Sequence, residues 1–211
     1  MVYFGMIKNL VSVLLVCLSL LSCKRTKENN IALTQYDLAN NDATVKALIE
    51  IPAGTLEKWE FSKSTGKIEL ELINNKPRII NYLGYPANYG MIPNTILAKE
   101  NGGDGDPLDV IVIGPQEPMG SLVECKIIGV LYLIDNQEKD DKLIAISNNS
   151  NLNHINEIDE LNHHYNGILK ILETWFTNYK GGEQIRSEGF GDSKSAEKIL
   201  LNARKQFLDN L

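Results

Sequence analysis

Asn101-Gly102-Gly103-Asp104-Gly105-Asp106-Pro107-Leu108-Asp109, followed at once by Val110-Ile111-Val112-Ile113, is the stretch around which the rest of the chain is arranged. Three carboxylates fall within six residues, glycines and one proline bend the backbone between them, and a short β-branched run anchors the loop in a core. Like charges this close repel unless a cation neutralises them. Every donor offered is a hard oxygen, with no His or Cys nearby, which points to Mg²⁺, Mn²⁺ or Ca²⁺ rather than zinc. The Asp-x-Asp-x-Asp-Gly spacing and the closing Glu of an EF-hand are missing. In an Asp-x-Asp-x-Thr phosphotransferase loop the strand comes first, whereas here it comes after. An acidic surface turn would use the same turn residues, but Pro107 and the apolar strand give this loop the stiffness that a site needs.

On the N-terminal side, Ala47-Leu48-Ile49-Glu50-Ile51-Pro52 reads as a strand ending at proline. Lys58-Trp59-Glu60-Phe61 and Ile68-Glu69-Leu70-Glu71-Leu72 flank a Gly66 turn and predict a hairpin, with Lys58 and Glu60 on one face and Trp59 and Phe61 on the other. Residues 73–82 are Asn-rich and basic, with Arg78 their only arginine, and Tyr85-Pro86-Ala87-Asn88-Tyr89-Gly90 is aromatic and rigid. On the C-terminal side, an alternating run from Gly120 to Ile134 ends in the acid cluster Asp135-Asn136-Gln137-Glu138-Lys139-Asp140-Asp141-Lys142, and Leu143-Ile144-Ala145-Ile146 resumes as a strand.

After residue 151 the period changes. Ile155, Ile158 and Leu161 give a short helical stripe, and Ile168, Leu172, Trp175, Phe176 and Tyr179 a longer one that Gly181-Gly182 stops. A last helix begins near Asp192 or Ser193, either of which can cap it, and buries Ala196, Ile199, Leu200, Ala203, Phe207 and Leu208. Many short strands followed by two helices predict an α+β fold: a small closed barrel with the two C-terminal helices packed outside.

The chain has 211 residues and a formal charge of -6. Lys8 is the only charge in residues 1–23, an apolar run spans 10–21, and Ser22 and Cys23 precede the polar Lys24-Arg25-Thr26-Lys27. That order of regions is a signal peptide, too short for a comfortable membrane span. Leu20-Leu21-Ser22-Cys23 resembles the bacterial lipobox. The expected division is therefore a lipoprotein signal over 1–22, lipidated Cys23 and a tether over 23–45, and one domain over 46–211. This places the domain on the periplasmic or surface side of a bacterial membrane, or in the cytoplasm if the signal is not used. An acidic chain seeks neither nucleic acid nor anionic membrane, so an anionic substrate needs metal ions as mediators. Cys17 leaves with the signal and Cys125 stands alone in an apolar strand, so there is no disulfide framework.

Acids (Glu50, Glu60, Asp104, Asp106, Asp109, Asp135, Asp140), bases (Lys58, Arg78, Lys142, Lys180) and hydroxyls (Tyr85, Tyr89, Tyr179) recur at strand ends, where a barrel mouth gathers them. His154, His163 and His164 fall on the helical side, and no nucleophile elbow, P-loop or dinucleotide fingerprint occurs. The chemistry left is metal-assisted attack by water. Several Mg²⁺ ions would lower the water's pKa, an aspartate would take its proton, and Lys and Arg would meet the charge on a leaving phosphate. The rival is a non-catalytic divalent-cation-binding lipoprotein that retains the barrel.

From about Ile49 to Phe190 the chain resembles the soluble family I inorganic pyrophosphatases. Asp104-Gly105-Asp106-Pro107-Leu108-Asp109-Val110 is similar to the family's Asp-Gly-Asp-Pro-x-Asp-Val, and Tyr85-Pro86-Ala87-Asn88-Tyr89-Gly90 to its Tyr-Pro-x-Asn-Tyr-Gly. Glu50-Ile51-Pro52, Lys58-Trp59-Glu60, the Asp135, Asp140 and Lys142 segment, and Tyr179-Lys180 complete the likeness. The resemblance implies that Asp104, Asp109, Asp135 and Asp140 bind metal directly, that Glu50 and Glu60 do so through water, and that Asp106 is the base. It implies diphosphate contacts from Lys58, Arg78, Tyr89, Lys142, Tyr179 and Lys180, several Mg²⁺ ions with Mn²⁺ as a substitute, a five-stranded barrel related to the OB-fold, and often a homo-oligomer. Two features depart from the family pattern. Arg78 stands one residue closer to Tyr85, and the family is usually cytosolic while this chain begins with an export signal.

Overall fold

A computed structural model of the chain describes residues 44–98, 103, 105–182 and 184–210. The expected signal, Cys23, the tether up to residue 43 and Asp104 lie outside the described residues. In chain order the strands are β1 (Thr44–Ile51), β2 (Trp59–Ser62), β3 (Lys67–Leu70), β4 (Leu72–Ile73), β5 (Lys76–Pro77), β6 (Asn88–Ile92), β7 (Leu108–Ile113), β8 (Leu122–Asp135), β9 (Glu138–Lys139), β10 (Lys142–Ser147) and β11 (Ile185–Gly191). The described helices are α1 (Ile158–His164), α2 (Ile168–Asn178) and α3 (Ser193–Asp209).

β7 and β10 lie in the middle of the sheet and run parallel, Leu143 opposite Val110 and Ile146 opposite Ile113. Their near-continuous apolar sequences mean that both faces are covered. Successive side chains point to opposite faces. Val110, Val112, Leu143 and Ala145 enter one core together with Ala196, Leu200 and Ala203 of α3. Ile111, Ile113, Ile144 and Ile146 enter a second, built with Leu172, Trp175 and Phe176 of α2. The sheet order is β1-β6-β7-β10-β8-β11, and β1 also pairs with the first part of β8, from Leu48↔Leu122 to Thr44↔Lys126.

This is a mixed, sheet-dominant fold, and three particulars differ from the sequence expectation. There are three described helices rather than two, because the short stripe around Ile158 and Leu161 closes a helix of its own. β11 separates α2 from α3. Its Ile-Arg-Ser-Glu-Gly-Phe-Gly has little strand propensity, and it is held at the sheet edge by its pairing with β8. β1 starts at Thr44, with Val45 buried, so the sheet reaches into the stretch expected to be tether.

α3 is capped as expected, Asp192 accepting from the Ser195 N–H at 2.8 Å. Its buried stripe is narrower than expected and ends on a polar residue: Ala196, Leu200, Ala203 and Gln206, while Leu208 is 50% exposed.

Ile144→Ala, in the middle of β10, should destabilise the chain by about 2–5 kcal/mol through the cavity it leaves. Leu208→Ala should stay within about 0.5 kcal/mol. Urea denaturation of both variants checks the assignment of α3's faces.

Candidate active site

The acid loop enters β7 at Asp109, and the second acid cluster enters β10 at Lys142. Because Leu143 lies opposite Val110 in the parallel ladder, these two residues meet at the same end of adjacent strands. The Lys142 ammonium donates to Asp109 Oδ2 and, at 2.5 Å, to Asp140 Oδ1. Its side chain is only 5% exposed. Burial opposes the charge, but the two carboxylates outweigh it and hold the Lys142 pKa above the ordinary lysine value. Lys180 pairs with Asp135 in the same way, and Lys58 with Glu60 at 2.7 Å.

Next to this pair lies a cleft of about 160 Å³ lined by Glu50, Lys58, Glu60, Phe61, Asp106 and Asp109. Glu50, near the end of β1, is buried and accepts the Phe61 N–H at 2.7 Å. Burial pushes its carboxyl up to about 7, with the Phe61 bond pulling the other way. Asp106 is exposed to the cleft.

An aromatic cluster lies beneath the lysines. The buried Tyr89 ring lies below two ammonium groups, 5.7 Å from Lys58 and 5.8 Å from Lys142. Tyr85 packs against Tyr89 and Trp175, and Trp175 stacks on Tyr179 with ring centroids 4.7 Å apart. The Trp175 indole N–H donates to the Leu83 carbonyl, which ties α2 to the loop before β6. Desolvation raises the phenol pKa values of Tyr85, Tyr89 and Tyr179, so all three stay protonated donors.

Arg78 reaches the site from the edge. Three backbone bonds link three segments in a ring: the Lys58 N–H to Arg78, the Glu71 N–H to Lys58, and the Arg78 N–H to Glu71, at 3.0, 2.9 and 2.8 Å. Burial disfavours the guanidinium charge, but a two-oxygen bond to Glu71 at 2.9 and 2.7 Å outweighs that and raises its pKa. Tyr85 and Tyr179 lie within its electrostatic reach.

Sequence reasoning passed over Glu71 and also Lys63. Lys63 sits in the β2–β3 turn and bonds Asp106 Oδ1 and the Gly105 carbonyl, both at 2.5 Å. For Glu71 a signal existed. Asn74 and Asn75, both at positive φ, make a two-residue turn that places residue 71 opposite residue 78. For Lys63 there was none, since a lysine in a hairpin turn is ordinary.

The donor set fits a hard divalent cation: the cleft and its margin are dominated by carboxylate oxygens, from Glu50, Glu60, Asp106, Asp109, Asp135 and Asp140. Among the described residues no three His, Cys, Asp or Glu converge on one point. The expected ligands are instead held by lysines, Asp109 and Asp140 sharing Lys142, or by a backbone N–H. Asp104, the remaining expected ligand, lies outside the described residues.

The sequence profile of the family described as inorganic pyrophosphatase matches residues 47–208. The inorganic pyrophosphatase of Xylella fastidiosa strain 9a5c is 34% identical over 175 residues, which cover 79% of this chain and 91% of that protein. The solved inorganic pyrophosphatase of Helicobacter pylori superposes with a TM-score of 0.69 at 30% identity, over 82% of this chain and 99% of that one. A truncated vacuolar soluble pyrophosphatase of Trypanosoma cruzi, solved in complex with PPi, superposes with a TM-score of 0.74 at 26% identity, over 83% and 73% of the two chains.

Lys142→Met should destabilise the metal-free chain by about 3–5 kcal/mol, because it leaves Asp109 and Asp140 half-buried without their shared cation. Thermal denaturation in EDTA reads the loss, and added Mg²⁺ should restore part of it.

Proposed function

The chain belongs to the inorganic pyrophosphatase family and is an inorganic diphosphatase, and from that premise we propose how its cleft hydrolyses inorganic pyrophosphate to two orthophosphates. The observation that carries the reading is the mixed charge of one small space: buried Lys142 between Asp109 and Asp140, with Lys58 and Tyr89 beside it and an acid-lined cleft in front. Cation binding alone would need only the carboxylates. Ammonium groups among them suit a polyanion that arrives with its own cations.

Asp104, Asp109, Asp135 and Asp140 would hold Mg²⁺, or Mn²⁺ in its place, with Glu50 and Glu60 acting through water. When bound, the ions supply positive charge to the diphosphate oxygens and make water more acidic. Asp106, at the rim of the cleft, takes the proton of the attacking water as its oxygen bonds to phosphorus. The bridging P–O bond breaks, and its electron pair stays on the leaving phosphate. Lys58, Arg78, Lys142 and Lys180 meet that charge, and Tyr89 and Tyr179 donate hydrogen bonds from protonated phenols. The two hydrogen bonds that Arg78 Nη1 donates to the Glu71 carboxylate keep the guanidinium aimed while leaving its other N–H groups to donate. The pairing of β1 with both β6 and β8 supports reading the five inner strands as a small barrel of OB type.

Phosphate release from pyrophosphate, with and without Mg²⁺, tests the activity. Asp106→Asn should keep most metal affinity while losing ~10²–10⁴ in turnover, the usual worth of a positioned base. Asp109→Asn should instead raise the Mg²⁺ concentration needed for half-maximal rate. Identical behaviour of the two variants in rate and metal titration would remove the division of roles.

We also propose that the domain is carried on a bacterial membrane by lipid at Cys23, facing the periplasm or the surface, and that it assembles as a homo-oligomer. The order of a basic residue, an apolar run and Leu-Leu-Ser-Cys supports the first point. In fractionated cells the wild type should follow the membrane and Cys23→Ser should not. If both stay in the cytosol at full length, the anchor is wrong.

A further inference from the structure

The segment 96–98 has α3 on one side and the acid loop on the other. Towards the helix, the Ile96 N–H donates to the Ala203 carbonyl at 3.1 Å. Two residues on, the Ala98 N–H donates to Gln206 Oε1 at 2.7 Å. Towards the loop, the Leu97 N–H donates to the Asp106 carbonyl at 2.8 Å, and the Leu97 carbonyl accepts the Gly105 N–H at 2.7 Å. The N–H groups of Ile96 and Ala98 thus hold the helix, while both backbone groups of Leu97 hold the loop and the Ala98 carbonyl also accepts the Gly103 N–H at 3.2 Å.

Gln206 is 8% exposed, in a stripe otherwise made of Ala196, Leu200 and Ala203. A buried polar side chain is a cost unless it makes its bonds, and this one bonds a backbone N–H 108 residues away in sequence. Thr95 closes the base of the same loop, its Oγ1 accepting the Leu108 N–H at 2.9 Å and donating to the Ile92 carbonyl at 2.6 Å.

We propose that Gln206 is a positioning residue for the acid loop: acting through Ala98 and Leu97, it sets from α3 where the backbone of Gly105 and Asp106 stands. It touches neither substrate nor metal. Its contribution is the placement of the Asp106 carboxylate, and the inference rests on the role given to Asp106 above. A core glutamine that merely satisfied a backbone group would affect stability alone. A positioning glutamine also affects rate and the metal requirement, because a displacement of about 1 Å in a reacting group costs up to 10²-fold.

The test uses the full chain, with pyrophosphate hydrolysis followed against Mg²⁺ concentration and thermal denaturation measured beside it. Gln206→Met keeps the volume and removes the acceptor. Gln206→Glu keeps an acceptor oxygen. Leu200→Ala weakens α3 in the core and leaves the hydrogen-bonding groups of 96–98 and Gln206 in place. Gln206→Met should lose about tenfold in kcat and raise the Mg²⁺ half-saturation. Gln206→Glu should recover most of both, and Leu200→Ala should lower Tm with an unchanged Mg²⁺ half-saturation. Gln206→Asn, polar but too short to reach Ala98, should match Gln206→Met and replaces it if that variant does not fold. The proposal is overturned if the Met or Asn variant keeps kcat and Mg²⁺ half-saturation within about twofold of wild type while Tm falls, or if Gln206→Glu behaves like Gln206→Met. An inactive wild type would instead overturn the proposed function, so the two failures are distinguishable.

Discussion

One ammonium group, that of Lys142, sits between Asp109 and Asp140 at the end of a parallel strand pair, and the arrangement around the cleft follows from keeping it there. A charge so little exposed survives only with its partners in place. Its partners come from two segments more than thirty residues apart, so the register of β7 against β10 has to be right. A slip of either strand by one residue would put Asp109 and Lys142 on opposite faces, because side chains alternate. The apolar runs Val110–Ile113 and Leu143–Ile146 prevent that slip. Each commits its residues alternately to two different cores.

The same parity decides what the site rests on. Asp109, Ile111 and Ile113 share one face of β7, and Lys142, Ile144 and Ile146 share one face of β10. Tyr89 lies opposite Ile111 and Met91 opposite Asp109, so β6 contributes to that face too. The charged groups are thus the polar end of the core that holds Trp175 and Phe176. Apolar and aromatic neighbours lower the local dielectric, which strengthens each ion pair and raises the cost of leaving one incomplete. Acids and lysines accordingly occur in matched sets here, Lys142 with two aspartates, Lys180 with Asp135 and Lys58 with Glu60. The opposite face of the sheet carries α3 and contributes no charge to the cleft. Its link to the site runs through the Ala203 carbonyl and the Gln206 side chain, which accept from the backbone of 96–98.

Much of this was legible in the chain. The acid loop, the strand after it, the hairpin from 58 to 72, the long strand, the second acid cluster and the α2 stripe could all be read from spacing and alternation. Those signals are local, and each is strong where a segment is buried on a defined face. What could not be read arises from pairing between distant segments. β11 exists because β8 offers it an edge. Arg78 is brought in by a ring of backbone bonds through Lys58 and Glu71. Lys63 looks like any solvated turn lysine until the acid loop is placed beside it. The expectation that Leu208 is buried failed because hydrophobicity alone was weighed, whereas the structure gives the last buried position of the α3 stripe to Gln206, whose amide has a backbone partner.

The segment Tyr85-Pro86-Ala87-Asn88-Tyr89-Gly90 shows how one short motif divides its work. Tyr89 has its ring below two lysines, Lys58 and Lys142. Asn88 is fully buried, and its side chain accepts from Ala53 and Glu117 and donates to Val112 and Pro115, tying together the loops that follow β1 and β7. Gly90 has no room for anything larger, since a Cβ there would stand 1.9 Å from the Leu48 carbonyl oxygen. Asn88 and Gly90 share one parity and Tyr89 the other, so the positions that set the closeness of β6 to its neighbours are not the one that lies under the lysines. The motif is, in three dimensions, a strand with a chemical face and a packing face. The chemical face stands at the right depth because the packing face admits no side chain where β6 crosses β1.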